Sequence, residues 1–377
     1  MMKAEHLKPR EEQTEHHSPA APQDNNAGAT PAPASPQPAG ARGMLPLAAS
    51  FLLLPLAVLL SMGLGKYPVS PKEIFAFFAQ RWFGASYFTT EHMSVLKNVL
   101  LEIRMPRIIA AALIGSALSV SGASYQAMFV NPLVSPSILG VLSGASFGAA
   151  LGIVYLKSWY AVQTATFLGG LIAALIAIGV ARIYRANTTI MLVLGGIISG
   201  ALFTSLLELV KYLADPYNQL PTIVYWLMGS LSQVDRETAL KTGVPICIGI
   251  GILLLSSRQL NALSMGDEEA KSLGVNVRRA RLIIILCATV ISSLTVVIAG
   301  IIGWIGLIIP HFTRLIVGPN NQRLLPAAAI FGAAYLIIVD DVCRLAFSFE
   351  LPIGIVTALV GIPCFAFVLS NARKRWS

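Results

Sequence analysis

Side chains that could make or break covalent bonds are few in this sequence, and their spacing fits no catalytic motif. The cysteines lie apart in apolar stretches, at Cys247, Cys287, Cys343 and Cys364, which indicates buried thiols rather than a disulfide framework or zinc site. His311 has no potential metal ligand close to it in the sequence. The phosphate-binding pattern G-x-x-x-x-G-K-[ST] and the zinc pattern H-E-x-x-H are both absent. The sequence therefore predicts no catalytic residue, no metal site and no directly bound cofactor.

Ionisable residues are clustered instead, and one cluster, SMGDEEAKSLGVNVRRAR at residues 264–281, interrupts an apolar part of the chain. Asp267, Glu268 and Glu269 would open a short helix, because the helix dipole favours acids there. Gly266 and Gly274 bracket this helix, and Gly274 can end it in a left-handed cap. Its apolar side would comprise Leu263, Met265, Ala270 and Leu273. A lipid-binding helix is normally rich in Lys and Arg, so this acidic start favours a protein partner.

The elements that carry this cluster are predicted to be membrane-spanning helices. Charged residues are 12% of the chain, about half the share typical of soluble domains. A span needs about 20 apolar residues as a helix. Ten such spans are predicted, the eighth short and a candidate for a break, at about residues 44–64, 106–129, 137–156, 159–183, 188–212, 240–255, 282–302, 304–317, 325–345 and 353–371. The predicted fold class is an all-α polytopic membrane protein.

Two regions follow from composition and charge. Residues 1–43, rich in Pro and Ala without periodicity, are predicted to be a disordered cytoplasmic tail. Residues 44–377 would form the transmembrane domain, with a cytoplasmic loop at about 258–281. Lys and Arg favour the side that holds both termini, which places those termini in the cytoplasm. We interpret the net charge of +9 as a result of topology rather than of nucleic-acid binding.

Glycines recur every four residues in the third predicted span, at Gly140, Gly144, Gly148 and Gly152. This spacing places them on one helix face, where two backbones can approach closely. We interpret this face as a helix-packing surface rather than a ligand site.

Four stretches, in the right order, resemble the permeases that import iron-siderophores, haem and vitamin B12, often called the FecCD family of type II ABC importers. The stretch LNALSMGDEEAKSLGVNVRRARL is similar to the family's cytoplasmic coupling loop. RMPRIIAAALIGSALSVSGASYQAMFVNPLVSPSILGVLSGASFGA is similar to its second and third helices, and WIGLIIPHFTRLIVGPNNQRLLPAAAIFGAAYLIIVDDVCRLAF to its eighth and ninth. ELPIGIVTALVGIPCFAFVL resembles the final segment. The resemblance covers nearly the whole chain after residue 43.

The resemblance implies a type II ABC importer permease fold in a prokaryotic plasma (inner) membrane, surrounded by lipid. Two copies would form a homodimer, with the pathway at the dimer interface. Two separate ABC ATPase subunits would use ATP, and an extracytoplasmic substrate-binding protein would deliver the cargo. A ferric siderophore is the expected cargo, and haem and cobalamin are the alternatives.

Residue roles also follow from the resemblance. The coupling element would run from Leu263 to Gly274. Arg104, Arg107 and Arg344 would dock the binding protein. Alternatively, these arginines anchor helix ends, with Arg344 paired to Asp340 or Asp341.

A cytoplasmic gate would comprise Asn131, Leu133, Thr188 and Thr189. The sequence NPLVSP equally predicts a stiff proline turn in which Asn131 caps the backbone, and the two roles are compatible. The family often has an acid before the second proline of this motif, and this chain does not.

Two other classes of function remain open from the residues alone. A gradient-driven secondary transporter would need a functional acid within a span, such as Glu208 or Asp340. A membrane scaffold without transport would need no glycine-lined close packing. Uptake measured with and without ATP and partner subunits separates all three.

Overall fold

The computed structural model describes residues 44–84, 86–183 and 189–373, and side chains within 51–367 of these. The predictions for residues 1–43 and for Thr188 lie outside the described residues. The described chain forms fifteen α-helices and no strand. They are α1 (Met44–Gly63), α2 (Pro71–Phe83), α3 (Thr90–Lys97), α4 (Met105–Met128), α5 (Val141–Leu151), α6 (Trp159–Ile183), α7 (Thr189–Leu213), α8 (Gln219–Leu227), α9 (Arg236–Leu255), α10 (Ser257–Leu263), α11 (Asp267–Ser272), α12 (Val277–Ala299), α13 (Ile305–Val317), α14 (Asn321–Leu345) and α15 (Ile353–Arg373).

All ten predicted spans coincide with apolar helices, which confirms the all-α membrane fold. Six helical segments are long and apolar enough to cross a bilayer, namely Thr90–Met128, α6, α7, α9, α12 and α14. Shorter apolar helices supply the other four positions, at Phe51–Gly63, Val141–Leu156, Ile305–Val317 and Ile353–Phe367.

Helix α4 lies at the centre of the bundle, packed by α14, α12, α9 and α13. Small residues allow this packing because backbones touch directly. A Cβ atom on Gly115 would collide with the carbonyl of Gly332 on α14, and one on Gly122 with that of Gly306 on α13. Close approach through glycine is how membrane helices associate where lipid removes the hydrophobic driving force.

The third span is not the single helix that the sequence predicted. It starts as a 3₁₀ turn, Pro136–Leu139, continues as α5 and ends as a π-helical turn, Gly152–Leu156. Gly140 interrupts it at φ +75° because this backbone sits against Gly200 of α7. Gly144 and Gly148 do pack on one face, against Gly169 and Ala165 of α6, so the packing interpretation is confirmed for them.

The sequence prediction placed no helix between the first two spans, yet α2 and α3 lie there. Ser70 accepts from the backbone N–H of Glu73, whose carboxylate accepts from the N–H of Ser70, and Pro71 occupies the first turn. This capping box and proline were readable as a helix start. Helix α3 continues into α4 through the π-helical segment Asn98–Arg104.

The eighth span is short, as predicted, and is preceded by a break in the chain. Helix α12 ends at Gly300, with φ +69°, and α13 begins after Trp304, whose φ is +70°. A non-glycine residue in this left-handed region is uncommon. The first turn of α13 lies against Gly122 of α4, inside the bundle.

Two opposite ends of the bundle hold the candidate sites. Helix α14 begins beside Asn261 and ends beside Arg107. We call the end that contains α10 and α11 the loop end. The end that contains Arg104, Arg107 and Arg344 is the arginine end.

Candidate coupling, gate and docking sites

The loop end carries the predicted short helix with both glycine boundaries. Gly266, with φ +120°, precedes α11. The helix ends in a Schellman cap, in which the N–H of Gly274 donates to Lys271 O (2.9 Å) and that of Val275 to Ala270 O (3.0 Å). Gly274 has φ +79°, which confirms the left-handed cap predicted for it.

The acids in the first turn of α11 are paired with neighbouring bases. Asp267 Oδ1 lies 2.7 Å from a guanidinium nitrogen of Arg281 on α12, which ties α11 to the bundle. Glu268 pairs with Lys271 within the helix at 2.7 Å. The Lys271 ammonium donates a hydrogen bond to the Glu268 carboxylate, and this bond raises the pKa of Lys271.

The apolar side predicted for α11 is divided between two surfaces. Leu263 and Ala270 are buried against the bundle. Met265 and Leu273 point outward instead, with 64% and 61% of their surface exposed. The loop therefore presents two apolar side chains beside exposed charges, which is the composition of a docking surface for a protein.

An asparagine that sequence reasoning missed holds this loop in place. Asn261, on α10, accepts from the backbone N–H of Asn321 (2.8 Å) and donates to Asn320 Oδ1 (2.9 Å). These bonds fix the loop to the start of α14. Asn261 and Asn320 are 59 residues apart, so only the fold brings them together.

The turn predicted to contribute to a gate adopts the predicted asparagine cap. Asn131 Oδ1 accepts the N–H of Leu133 at 2.9 Å, which confirms the capping role. The preceding Val130 has φ +49°, and Leu133 is exposed. Asn131 shares a surface cavity with Ser264 of the coupling loop and Arg314 of α13. Thr189 is the first residue of α7 and is half-buried. The gate role of these residues stays a prediction.

The three arginines predicted to dock a binding protein meet in one buried cluster. Arg107 forms ion pairs with Asp340 (2.9 Å) and Glu350 (3.0 Å). Arg344 contacts Asp340 at 3.3 Å and also pairs with Asp341. Arg104 donates to the backbone carbonyls of Met62 and Tyr67.

Three basic and three acidic groups therefore balance in this cluster, which joins α1, α4, α14 and the segment that follows α14. Arg104 and Arg107 are only 3% and 8% exposed. The pairing of Arg344 with Asp340 and Asp341 is confirmed, and the docking role stays a prediction. Ser61 and Glu350 complete the cluster and were missed because Ser61 lies 280 positions from its partner Asp341 and Glu350 lies 243 positions from its partner Arg107.

The acids that a gradient-driven transporter would use have close partners. Glu208 is exposed and pairs with Lys211 at 2.9 Å, one turn further along α7. Asp340 lies between Arg107 and Arg344. These carboxylates act as ion-pair partners in this structure.

Comparison with known proteins identifies the family that shares this architecture. Residues 53–371 match the FecCD transport family. The chain is 38% identical to a molybdate import system permease of Haemophilus influenzae, over 86% of this chain and 94% of that protein. It is 36% identical to a hemin transport system permease of Yersinia pestis, over 77% and 88%. A solved inward-facing structure, assigned to the metal-chelate type of ABC transporter, superimposes with TM-score 0.75 at 37% identity, covering 86% of this chain and 98% of that one. The chain belongs to the FecCD transport family and is a permease of an ABC importer.

Proposed function

We propose that two copies of this chain form the membrane pathway of an importer driven by separate ABC ATPase subunits, and that the chain itself hydrolyses nothing. The observation that carries the proposal is the coupling loop, where Met265 and Leu273 stand exposed at the two ends of α11, while Ala270 within that helix is buried against the bundle. An ATPase groove that covers these two side chains would gain about 1.5–3 kcal/mol for each fully buried residue.

Uptake into vesicles tests this mechanism. The permease, its ATPases and its binding protein would be reconstituted, and labelled cargo counted with and without ATP. Replacing Met265 and Leu273 with Ser should abolish ATPase co-purification and uptake together. Leu255→Ser is the matched control, since Leu255 is an exposed apolar residue at the same end but outside the loop. ATP-independent uptake driven by an ion gradient would contradict the proposal.

We propose a ferric siderophore as the cargo. Support comes from relatives described as iron chelatin permeases, including one of Helicobacter pylori at 37% identity, and from the metal-chelate type of the solved structure. Other relatives are described as hemin, cobalamin and molybdate permeases. Thermal unfolding of the cognate binding protein with each cargo separates them, because only a bound ligand raises the melting temperature. A raised melting temperature with haem, cobalamin or molybdate alone would contradict the siderophore proposal and identify that compound as the cargo.

We further propose that the binding protein docks at the arginine end, on the homodimer's two symmetric clusters. The experiment must separate docking from anchoring, because Arg107 is buried between two acids. Arg104→Gln and Arg107→Gln would be measured for binding-protein affinity over a salt series and, on the same preparations, for thermal unfolding. A loss of affinity that is largest at low salt, and larger than the loss of folded protein accounts for, supports docking. Loss of affinity only in step with lost stability leaves the arginines as anchors.

A further inference from the structure

A cleft of about 230 Å³ opens at the loop end between α6, α7, α11 and α12. Its inner wall is apolar and includes Ile178, Leu192 and Ile285. Its mouth is basic and carries Arg182, Lys271, Arg278 and Arg281, together with the single acid Asp267. The cleft therefore combines two chemistries, one suited to hydrocarbon and one to an anion.

Two of the basic groups have no counter-charge. Arg281 pairs with Asp267, and Lys271 pairs with Glu268. Arg182 and Arg278 are exposed and, among the residues that the structure describes, have no acidic partner. An anion at the mouth would therefore meet two guanidinium groups that no carboxylate neutralises.

The depth of the cleft matches a lipid rather than a free anion. Arg278 and Ile285 lie seven residues apart on α12, which corresponds to about 10 Å along the helix axis. Both α6 and α12 are long and apolar enough to span a membrane, and the two basic groups lie at or near the ends of these spans. Positive charge at this level meets phosphate headgroups, and the apolar wall lies at acyl-chain depth.

We propose that this cleft binds an anionic phospholipid, with its phosphate between Arg182 and Arg278 and one acyl chain along Ile178, Leu192 and Ile285. A zwitterionic lipid carries an ammonium charge beside its phosphate and compensates the two arginines only in part, whereas a soluble anion leaves the apolar wall empty. Basic pockets between transmembrane helices bind acidic headgroups for the same reason. Because Asp267 and Lys271 of α11 also line the mouth, the lipid would contact the coupling element directly.

Lipid binding to the full chain in detergent tests this proposal by native mass spectrometry. The chain would be titrated with phosphatidylglycerol and, separately, with phosphatidylcholine of the same acyl composition. We expect tighter binding of phosphatidylglycerol, and an affinity about 25-fold lower in the double variant Arg182→Gln/Arg278→Gln, from about fivefold per arginine. Arg258→Gln is the matched control, because it removes an exposed arginine at the same end outside the cleft.

A second variant tests the apolar wall independently of charge. Ile178→Trp fills the cleft, and we expect it to weaken phosphatidylglycerol binding while leaving the arginines in place. Three results would overturn the proposal: equal affinity for the two lipids, equal loss in the Arg258→Gln control, or full retention in the double variant. Glycerol phosphate that binds as tightly as the lipid would identify a free-phosphate site instead and would also overturn it.

Discussion

Gly274 provides the cleanest test at the scale of one residue, because an added Cβ meets no atom within 4 Å. The cost of Gly274→Val is thus backbone strain alone, about 1–2 kcal/mol at φ +79°. We expect a folded permease that co-purifies with less ATPase. Gly84→Val is a matched control, since Gly84 has φ +70°, equally open surroundings and a place at the end of α2, outside the coupling loop. Gly274→Asn, which tolerates this backbone, should restore most of the binding. Normal co-purification of Gly274→Val would remove α11 from the coupling role.

Arg107 should matter for stability in a way that an exposed base does not. Removing one member of a buried ion pair leaves an uncompensated charge and costs about 3–5 kcal/mol. We place Arg107→Gln at the low end of this range, because Arg344 still contacts Asp340. Lys211→Gln removes an exposed pair and should cost about 0–1 kcal/mol. Thermal unfolding of both variants in detergent measures the difference. Equal melting temperatures would contradict the buried-pair account.

Single residues were predictable from sequence where their partners lie within one turn. Asp340, Asp341 and Arg344 are spaced for pairing along a helix, and they do pair. The contact between Arg107 and Asp340 spans 233 positions in the sequence, and its discovery needed the packing of α4 on α14. The exposure of Leu273 also depends on packing, since α11 is too short for its apolar pattern to define one face.

Helix α9 offers a prediction at the scale of an element. Asp235 caps its N-terminus by accepting the backbone N–H of Thr238 at 2.8 Å, and hydrogen bonds from Thr238 lower the pKa of this carboxyl group. The pKa is lower in the folded chain than in the unfolded chain, where it is about 3.9, so the carboxylate stabilises the fold at pH values above about 3.9. This stabilisation is lost as the pH falls through the folded pKa. Asp235→Ala should cost about 1 kcal/mol at pH 7, and the difference from the unmodified chain should shrink below about pH 4. Asp235→Asn should keep the cap both at pH 7 and below about pH 4, because the amide does not titrate. Thermal unfolding across pH 3–7 measures the stability of each variant. A difference between Asp235→Ala and the unmodified chain that stays constant with pH would contradict the prediction.

Elements were predictable where hydrophobicity alone decides them, and all ten spans were located. Hydrophobicity does not report helix continuity, because a membrane segment stays apolar whether it is one helix or several. Gly140 therefore interrupts a span that the sequence predicted as one helix. The left-handed backbone of Gly140 lies directly against Gly200 of α7, a contact between distant segments that hydrophobicity does not report. Helix α2 differs, since its capping box was visible in the sequence.

The whole molecule concentrates polar contacts at its two ends and glycine contacts between them. The arginine end is closed by a balanced ion cluster, and the loop end is fixed by Asn261 and by the pair between Asp267 and Arg281. These contacts join the helices of the bundle to one another at both ends. In the proposed dimer, a bundle joined in this way would let each copy shift as a unit during alternating access.

The two-fold symmetry of the proposed dimer gives a prediction for the gate. In a two-fold dimer, residues near the axis meet their own copies. If Thr189 belongs to a gate at the dimer interface, Thr189→Cys should form a disulfide with itself, in a background where Cys247, Cys287, Cys343 and Cys364 are replaced. Cα atoms must come within about 7 Å for this bond, so the yield should change with ATP as the gate opens and closes. Arg258→Cys, exposed at the same end, is the control and should give little dimer. Equal cross-linking at both positions, or none at Thr189 in any nucleotide state, would place the gate elsewhere.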